Sequence, residues 1–265
     1  ALVRHHEKGD YRKAAAVLNA LPLRAVILEH EFALFGGPLG AHVLEILGAL
    51  RTPVITVFHT ILASAPPPMI EVVRRVAAAS AAVVVLCERA RELITTRFGV
   101  PAGKVVHLPN GVPLPPEGSS AEWKERLGLG GRTVALTLGL LSPLKGIETA
   151  LDAVAQVAPD HPDLLYVVAG ATHPEEVRER GEGYRARLEE QVARLGIGAH
   201  VRFVNRYLTE EEVVQYVHAA DLYVTPYLFM EQTSSATLAT AAFLGKALLS
   251  TPYDYAVELL SDGAG

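Results

Sequence analysis

The chain has 265 residues, half of them hydrophobic, with 24 lysines and arginines against 29 aspartates and glutamates and a formal net charge of −5. That length buries a sizeable core and accommodates two modest domains, and the mild negative balance lacks the basic footprint of a nucleic-acid binder. No apolar run approaches the roughly 20 residues needed to cross a bilayer. The one cysteine, Cys87, excludes an internal disulfide and fits a reducing, cytoplasmic setting.

Taken in chain order, short β-branched apolar runs alternate with longer helical patterns. Strands are predicted at 25–29, 53–58, 82–86 and 104–108, with helices at 70–79 and 90–98 among them. Cys87 closes the apolar run at 82–86 and reads as a small buried hydrophobe. A Pro- and Gly-rich stretch over 109–131 follows, holding Pro109, Pro113, Pro115 and Pro116 and a short helix around Trp123 and Leu127. Strands at 133–138, 164–169, 201–204, 222–225 and 246–250 then alternate with helices at 147–157, 175–195, 210–219, 236–244 and 255–260. Thr209 and Glu212 form a capping-box pattern at one helix start, and Gly196 stands at another helix end. Strand–helix–strand repetition implies parallel sheets with right-handed crossovers, four strands before the linker and five after it. The expected division is a first lobe over 1–112, a linker region over 113–131 and a second lobe over 132–265. The missing initiator methionine and the arrest at 262–265 suggest a fragment.

In open parallel sheets, ligands bind beyond the carboxyl ends of the strands. The residues there are unusually polar and glycine-rich. After the strand at 133–138 come Gly139, Leu140, Leu141, Ser142, Pro143, Leu144, Lys145 and Gly146, then a helix. Free N–H groups at a helix start attract anions and a lysine adds a full charge, so the turn is either a diphosphate cradle or a solvated lysine beside a glycine turn. It lacks the Gly-Lys-Ser/Thr order of a Walker loop. After the strand at 222–225 come Glu231, Gln232, Thr233, Ser234, Ser235, Ala236, Thr237 and Leu238. Ser234, Ser235 and Thr237 are capable N-caps whose hydroxyls fit phosphate oxygens, and Glu231 fits sugar hydroxyls; an ordinary capped helix is the alternative.

His59 follows the strand at 53–58 and reads as a proton carrier or sugar contact, or else as a histidine bonded to neighbouring backbone. His30, between Glu29 and Glu31, is a candidate carboxylate–imidazole set, and His173 is a weaker case. The remaining histidines read as surface or packing residues. No metal-ligand spacing is present, so no metal is expected. The Glu/Arg-rich stretch at 175–194, including Arg178, Arg180 and Arg185, reads as one solvated helix face. No Gly-x-Ser-x-Gly elbow is present.

Taken together and in this order, these pieces resemble the retaining group-1 (family 4-like) glycosyltransferases of the GT-B fold. Residues 29–37 (EHEFALFGG), 53–61 (PVITVFHTI), 83–94 (VVVLCERARELI) and 105–112 (VVHLPNGV) are similar to the second half of the family's acceptor lobe. Residues 138–151, 220–227 (ADLYVTPY) and 231–250 are similar to its donor lobe. The resemblance implies an α/β fold of two Rossmann-like lobes with parallel sheets, both incomplete here. It implies transfer of a hexose from a nucleotide sugar such as UDP- or GDP-hexose, with retention of anomeric configuration.

Carried over by residue, Lys145 would bind the donor diphosphate and Gly139 would allow close backbone approach. Glu231 would contact the transferred sugar. The turn formed by Thr233, Ser234, Ser235, Thr237 and Leu238 would meet phosphate through backbone N–H groups. His59 would lie near the sugar or acceptor. The family usually has an arginine where Leu140 stands, a second glutamate where Ala239 or Thr240 stands, and a histidine where Asn110 stands.

No prosthetic cofactor is implied, the nucleotide sugar being a co-substrate. The acceptor is an unspecified sugar, glycan or lipid. A lipid acceptor would require peripheral membrane contact, for which no basic amphipathic helix argues. Two rivals share the fold: a non-catalytic sugar-nucleotide or glycan-binding relative, favoured by Leu140 and Thr240, and an epimerase, which would release nucleoside diphosphate without an acceptor.

Overall fold

A computed structural model describes residues 3–261. The chain forms two compact units, one made of Ala1–Asn110 with Glu231–Ser234, the other of Gly111–Met230 with Ser235–Gly265. Each is an α/β layer built on an all-parallel sheet, which is the fold class the alternating pattern implies.

The first unit holds, in chain order, α1 (Lys8–Asn19), β1 (Val26–His30), α2 (Val43–Leu47), β2 (Val54–Phe58), α3 (Pro67–Ala79), β3 (Ala82–Val85), α4 (Glu88–Thr96) and β4 (Val105–His107). Its strands lie side by side in sequence order, β1-β2-β3-β4. Val54 and Phe58 on β2 face the core with Val72, Val73 and Val76 of α3 and Leu93 and Ile94 of α4, all buried. Side chains of this kind contribute roughly 1.5–3 kcal/mol each when fully buried. Cys87 is buried as expected, and it also caps α4, its Sγ accepting from the Ala90 N–H at 3.3 Å.

The second unit holds α5 (Ser120–Arg126), β5 (Thr133–Leu138), α6 (Ile147–Val157), β6 (Leu164–Ala169), α7 (Pro174–Arg180), α8 (Gly183–Leu195), β7 (Val201–Val204), α9 (Glu210–Ala219), β8 (Leu222–Thr225), α10 (Ala236–Phe243), β9 (Ala247–Ser250) and α11 (Asp254–Leu259). The strand order is β7-β6-β5-β8-β9. The chain works outward from β5 to β7, then crosses back to continue on the other side of β5 with β8 and β9. Ile147, Leu151 and Val154 of α6 and Tyr184, Leu188 and Val192 of α8 form a core with Tyr166 and Val168 of β6.

Two predicted features change. The single helix expected over 175–195 is two, because Gly181 takes a left-handed φ of 59° and ends α7. The 175–194 stretch is also not a uniformly solvated face. Arg178 does pair with Glu175 in water, and Arg180 pairs with the half-buried Glu176. Arg185 instead turns inward, buried, and donates to the Gly170 carbonyl at 2.9 Å and to the Asn205 side chain. Helices α1 and α2 were not predicted. Their stripes are short, and α1 buries only Asp10, Tyr11, Ala14 and Ala15.

Candidate functional site

In a doubly wound sheet the binding crevice opens where consecutive connections leave in opposite directions. In the second unit that point lies between β5 and β8. The two segments flanking it are the 139–146 turn after β5 and, after β8, residues 226–230 with 235–238.

The first segment is fixed by its glycines. Gly139 extends the ladder, its N–H donating to the Ala169 carbonyl at 3.0 Å, and Leu141 pairs on with Ala171 at 2.9 Å. Pro143–Lys145 makes one 3₁₀ turn, and Gly146 follows in the left-handed region at φ 61°. A β-carbon on Gly146 would fall 1.9 Å from the Pro226 carbonyl oxygen, so the turn presses directly on the segment after β8. Gly146 also starts α6 without a side-chain cap, which leaves the first amides of that helix without a side-chain acceptor.

Lys145 is half-buried, and burial alone pulls its pKa down to about 8. Among the described residues its ammonium has neither an ion-pair partner nor a hydrogen-bond acceptor. It sits 3.7 Å from the centroid of the Tyr227 ring. The site thus holds a desolvated cation that no carboxylate neutralises.

In the second segment, Ser235 is buried and caps α10, accepting from the Leu238 N–H at 3.4 Å. That amide, read from the sequence as a phosphate donor, already has a partner. Thr237 is half-buried on the first turn of α10, and Thr240 is buried, its hydroxyl donating to the Ala236 carbonyl at 2.9 Å.

The first unit carries the other candidates. The His59 Nε2 lies 2.7 Å from Glu29 Oε2, and the His59 N–H donates to the His30 carbonyl at 3.1 Å. Glu231 accepts from both the N–H and the hydroxyl of Ser64, each at 2.9 Å. Thr233 is buried and accepts from the Ile61 N–H at 3.3 Å, while the Ser234 hydroxyl donates to the His59 carbonyl at 3.0 Å.

The carboxylate–imidazole set suggested for His30 is not formed. His30 is fully buried, its ring lies among Phe32, Phe35 and Phe58, and neither ring nitrogen has a hydrogen-bond partner. Burial pulls its pKa down to about 4. The reason is register: β1 side chains alternate, so Glu29 points out toward His59 while His30 points into the core. His173 is local too, accepting from the Glu175 N–H at 3.2 Å at the start of α7.

Several residues escaped the sequence reading: Glu29 as the partner of His59, Ser64 as the partner of Glu231, and the tyrosines Tyr227 and Tyr253. The tyrosines had a readable signal. Thr-Pro-Tyr occurs twice, at 225–227 and 251–253, each time at the end of a strand. Because β8 and β9 are neighbours with Thr225 opposite Ser250, the repeat brings the two rings together, centroids 5.2 Å apart and 22° between planes.

The chain and its fold have counterparts among known proteins. Residues 119–265 match the family model for "Glycosyl transferases group 1", and residues 4–114 match "Glycosyltransferase Family 4". The chain is 29% identical over 140 residues to a GDP-mannose-dependent alpha-(1-6)-phosphatidylinositol monomannoside mannosyltransferase of Mycolicibacterium smegmatis, a match covering 51% of this chain and 34% of that protein. Among solved structures, Anabaena HepE in complex with UDP and glucose aligns with a TM-score of 0.73 at 17% identity, over 94% of this chain and 64% of that one. Sucrose-phosphate synthase from Thermosynechococcus elongatus aligns with a TM-score of 0.67 at 18% identity, over 96% of this chain and 67% of that one. The likeness in structure shows a shared fold. The family model covers more than half of the chain and includes both segments that flank the β5–β8 switch point, and on that ground the chain belongs to the group 1 glycosyl transferases.

Proposed function

We propose that this chain acts as a glycosyltransferase that moves a hexose from a nucleoside-diphosphate sugar to an acceptor with retention at the anomeric carbon. The observation that carries this reading is the unneutralised, desolvated Lys145 at the switch point, beside the open start of α6. Lys145 and those first amides bind the diphosphate, and Gly139 lets the backbone come close. A small apolar cavity of about 190 Å³ between Gly139, Gly170, Tyr207 and Val213 adjoins the same turn and receives the nucleoside. Glu231, Thr233 and Ser234 serve the transferred sugar with His59, and Ser235, Thr237 and Leu238 shape the start of α10.

In the reaction the bond from the anomeric carbon to the diphosphate oxygen breaks, and the acceptor oxygen bonds to that carbon on the same face. The acceptor proton passes to the departing phosphate oxygen. Charge grows on the diphosphate as it leaves, and Lys145 with the helix start favours that charge more than the ground state. The protein itself supplies the positive charge, so the reaction is proposed to need neither a metal nor a prosthetic cofactor. The proposed acceptor is a sugar, a glycan or a lipid met at a membrane surface, and the proposed compartment is the cytoplasm.

Transfer or hydrolysis of UDP- and GDP-hexoses, measured for wild type and Lys145→Ala, tests the assignment. Equal rates in both proteins would remove Lys145 from the site. A second reading, a non-catalytic sugar-nucleotide binder, is favoured by Leu140 and Thr240, which replace two polar donor contacts usual in the family. Calorimetry showing donor binding without turnover would select it.

A further inference from the structure

We propose that Tyr227 is a positioning residue that aims the Lys145 ammonium at the diphosphate by holding it against the face of its ring, an inference that rests on the donor reading above. The lysine nitrogen lies 3.7 Å from the ring centroid, within the range of a cation–π contact. The ring cannot drift. Tyr227 is 1% exposed, and its other neighbour is the stacked ring of Tyr253, 0% exposed. Its hydroxyl faces those of Ser235 and Thr237 at the start of α10. The peptide group that follows it is tied at both its oxygen and its N–H. The Thr251 hydroxyl donates to the Tyr227 carbonyl at 2.6 Å, and the next N–H, of Leu228, donates to the Leu144 carbonyl at 2.9 Å.

The arrangement solves a specific problem. A cation that must receive a phosphate needs a fixed direction before the ligand arrives. A carboxylate would fix it but would also neutralise it and compete with the phosphate. An aromatic face attracts the ammonium through its quadrupole without cancelling its net charge. The stacked pair therefore orients Lys145 while leaving its charge for the ligand. The same ring touches both segments at the switch point, so the position of the lysine is set by the fold of β8 and β9 as much as by its own turn.

The test uses the 265-residue chain with Tyr227 replaced by phenylalanine, by pentafluorophenylalanine and by leucine. Phenylalanine keeps the quadrupole, and pentafluorophenylalanine keeps the shape while reversing it, so a fold defect in the leucine variant does not decide the outcome. Binding of UDP, GDP and inorganic pyrophosphate is measured by calorimetry, and the Lys145 titration is followed by NMR of Cε-labelled lysine. The expected result is wild-type behaviour for phenylalanine. The pentafluoro ring should weaken all three probes by about tenfold and lower the Lys145 titration midpoint. Equal binding and equal midpoints for the phenyl and pentafluorophenyl rings would overturn the role of Tyr227. If Lys145→Ala binds the probes as wild type does, the donor reading of Lys145 fails instead. If wild type binds none of them, that reading also fails, and the lysine titration still decides whether the ring holds the cation.

Discussion

Gly170 packs its backbone against Gly139 so closely that a β-carbon on Gly170 would lie 1.9 Å from the Gly139 carbonyl oxygen. Gly170 also has a φ of 141°, which disfavours other residues. The two glycines end the adjacent strands β5 and β6, and this contact sets the height from which the 139–146 turn begins. Gly170→Ala should therefore cost at least about 3 kcal/mol of stability, since steric overlap with backbone adds to an unfavourable φ. Chemical denaturation measures it, and a loss below about 1 kcal/mol would contradict the rigid contact.

Gly146 gives a more local version of the same prediction. A β-carbon there meets the Pro226 carbonyl at 1.9 Å, while one on Gly139 meets nothing within 4 Å. Gly146→Ala should lower stability and weaken pyrophosphate binding together, because it pushes the Lys145 turn away from the segment after β8. Calorimetry at a temperature where the variant remains folded separates the two effects.

Lys145 should make donor use depend on pH in the alkaline range. With its pKa pulled down to about 8 by burial, the ammonium is lost as pH rises past that value. The kcat/KM for donor hydrolysis or transfer should fall above about pH 8, and Lys145→Arg should move the fall to higher pH. The stability effect has the opposite sign. The unfolded lysine binds its proton more tightly than the folded one, so the charge costs stability below about pH 8 and the cost fades as pH rises toward the ordinary lysine value. Lys145→Met should raise stability at pH 7 by roughly 1–3 kcal/mol. Paired thermal and kinetic profiles check both signs.

His30 predicts sensitivity to acid. Its folded pKa of about 4 lies below the usual histidine value because the ring is buried among phenylalanines. The unfolded chain takes up the proton first, so stability from this group is complete above about pH 6.5 and declines as pH falls toward 4. His30→Phe should remove up to about 3 kcal/mol of that decline and be neutral or stabilising at pH 7, because two unpaired ring nitrogens leave the core with it. Unfolding curves at pH 5 and pH 7 for both proteins measure it.

The capping box at α9 tests a local feature visible in the sequence. Thr209 accepts from the Glu212 N–H at 3.2 Å, and Glu212 accepts from the Thr209 N–H at 2.8 Å. Thr209→Ala should cost about 1 kcal/mol. Circular dichroism melts give the value, and the site at the β5–β8 switch point should bind pyrophosphate unchanged.

Local physics made much of this protein legible in its sequence. Nearly continuous apolar runs placed all nine strands of the described residues to within a residue or two, because strands buried on both faces must be apolar throughout. Alternation with helices made both sheets parallel, and the turns at their carboxyl ends drew attention to Lys145 and to the 231–238 segment. Tertiary structure decided what those residues face. His30 and Glu29 differ by one position and by one face of a sheet, and only strand pairing showed that the side chain of Glu29, not that of His30, meets the His59 ring. Arg185 looked like part of a solvated stripe until the break at Gly181 set a new helix phase and turned it inward. The Thr-Pro-Tyr repeat was present in the chain from the start, but nothing local says that residues 26 apart on either side of a helix will stack. The adjacency of β8 and β9 says so, and it puts a buried aromatic face under a lysine that the sequence alone leaves between a diphosphate cradle and water.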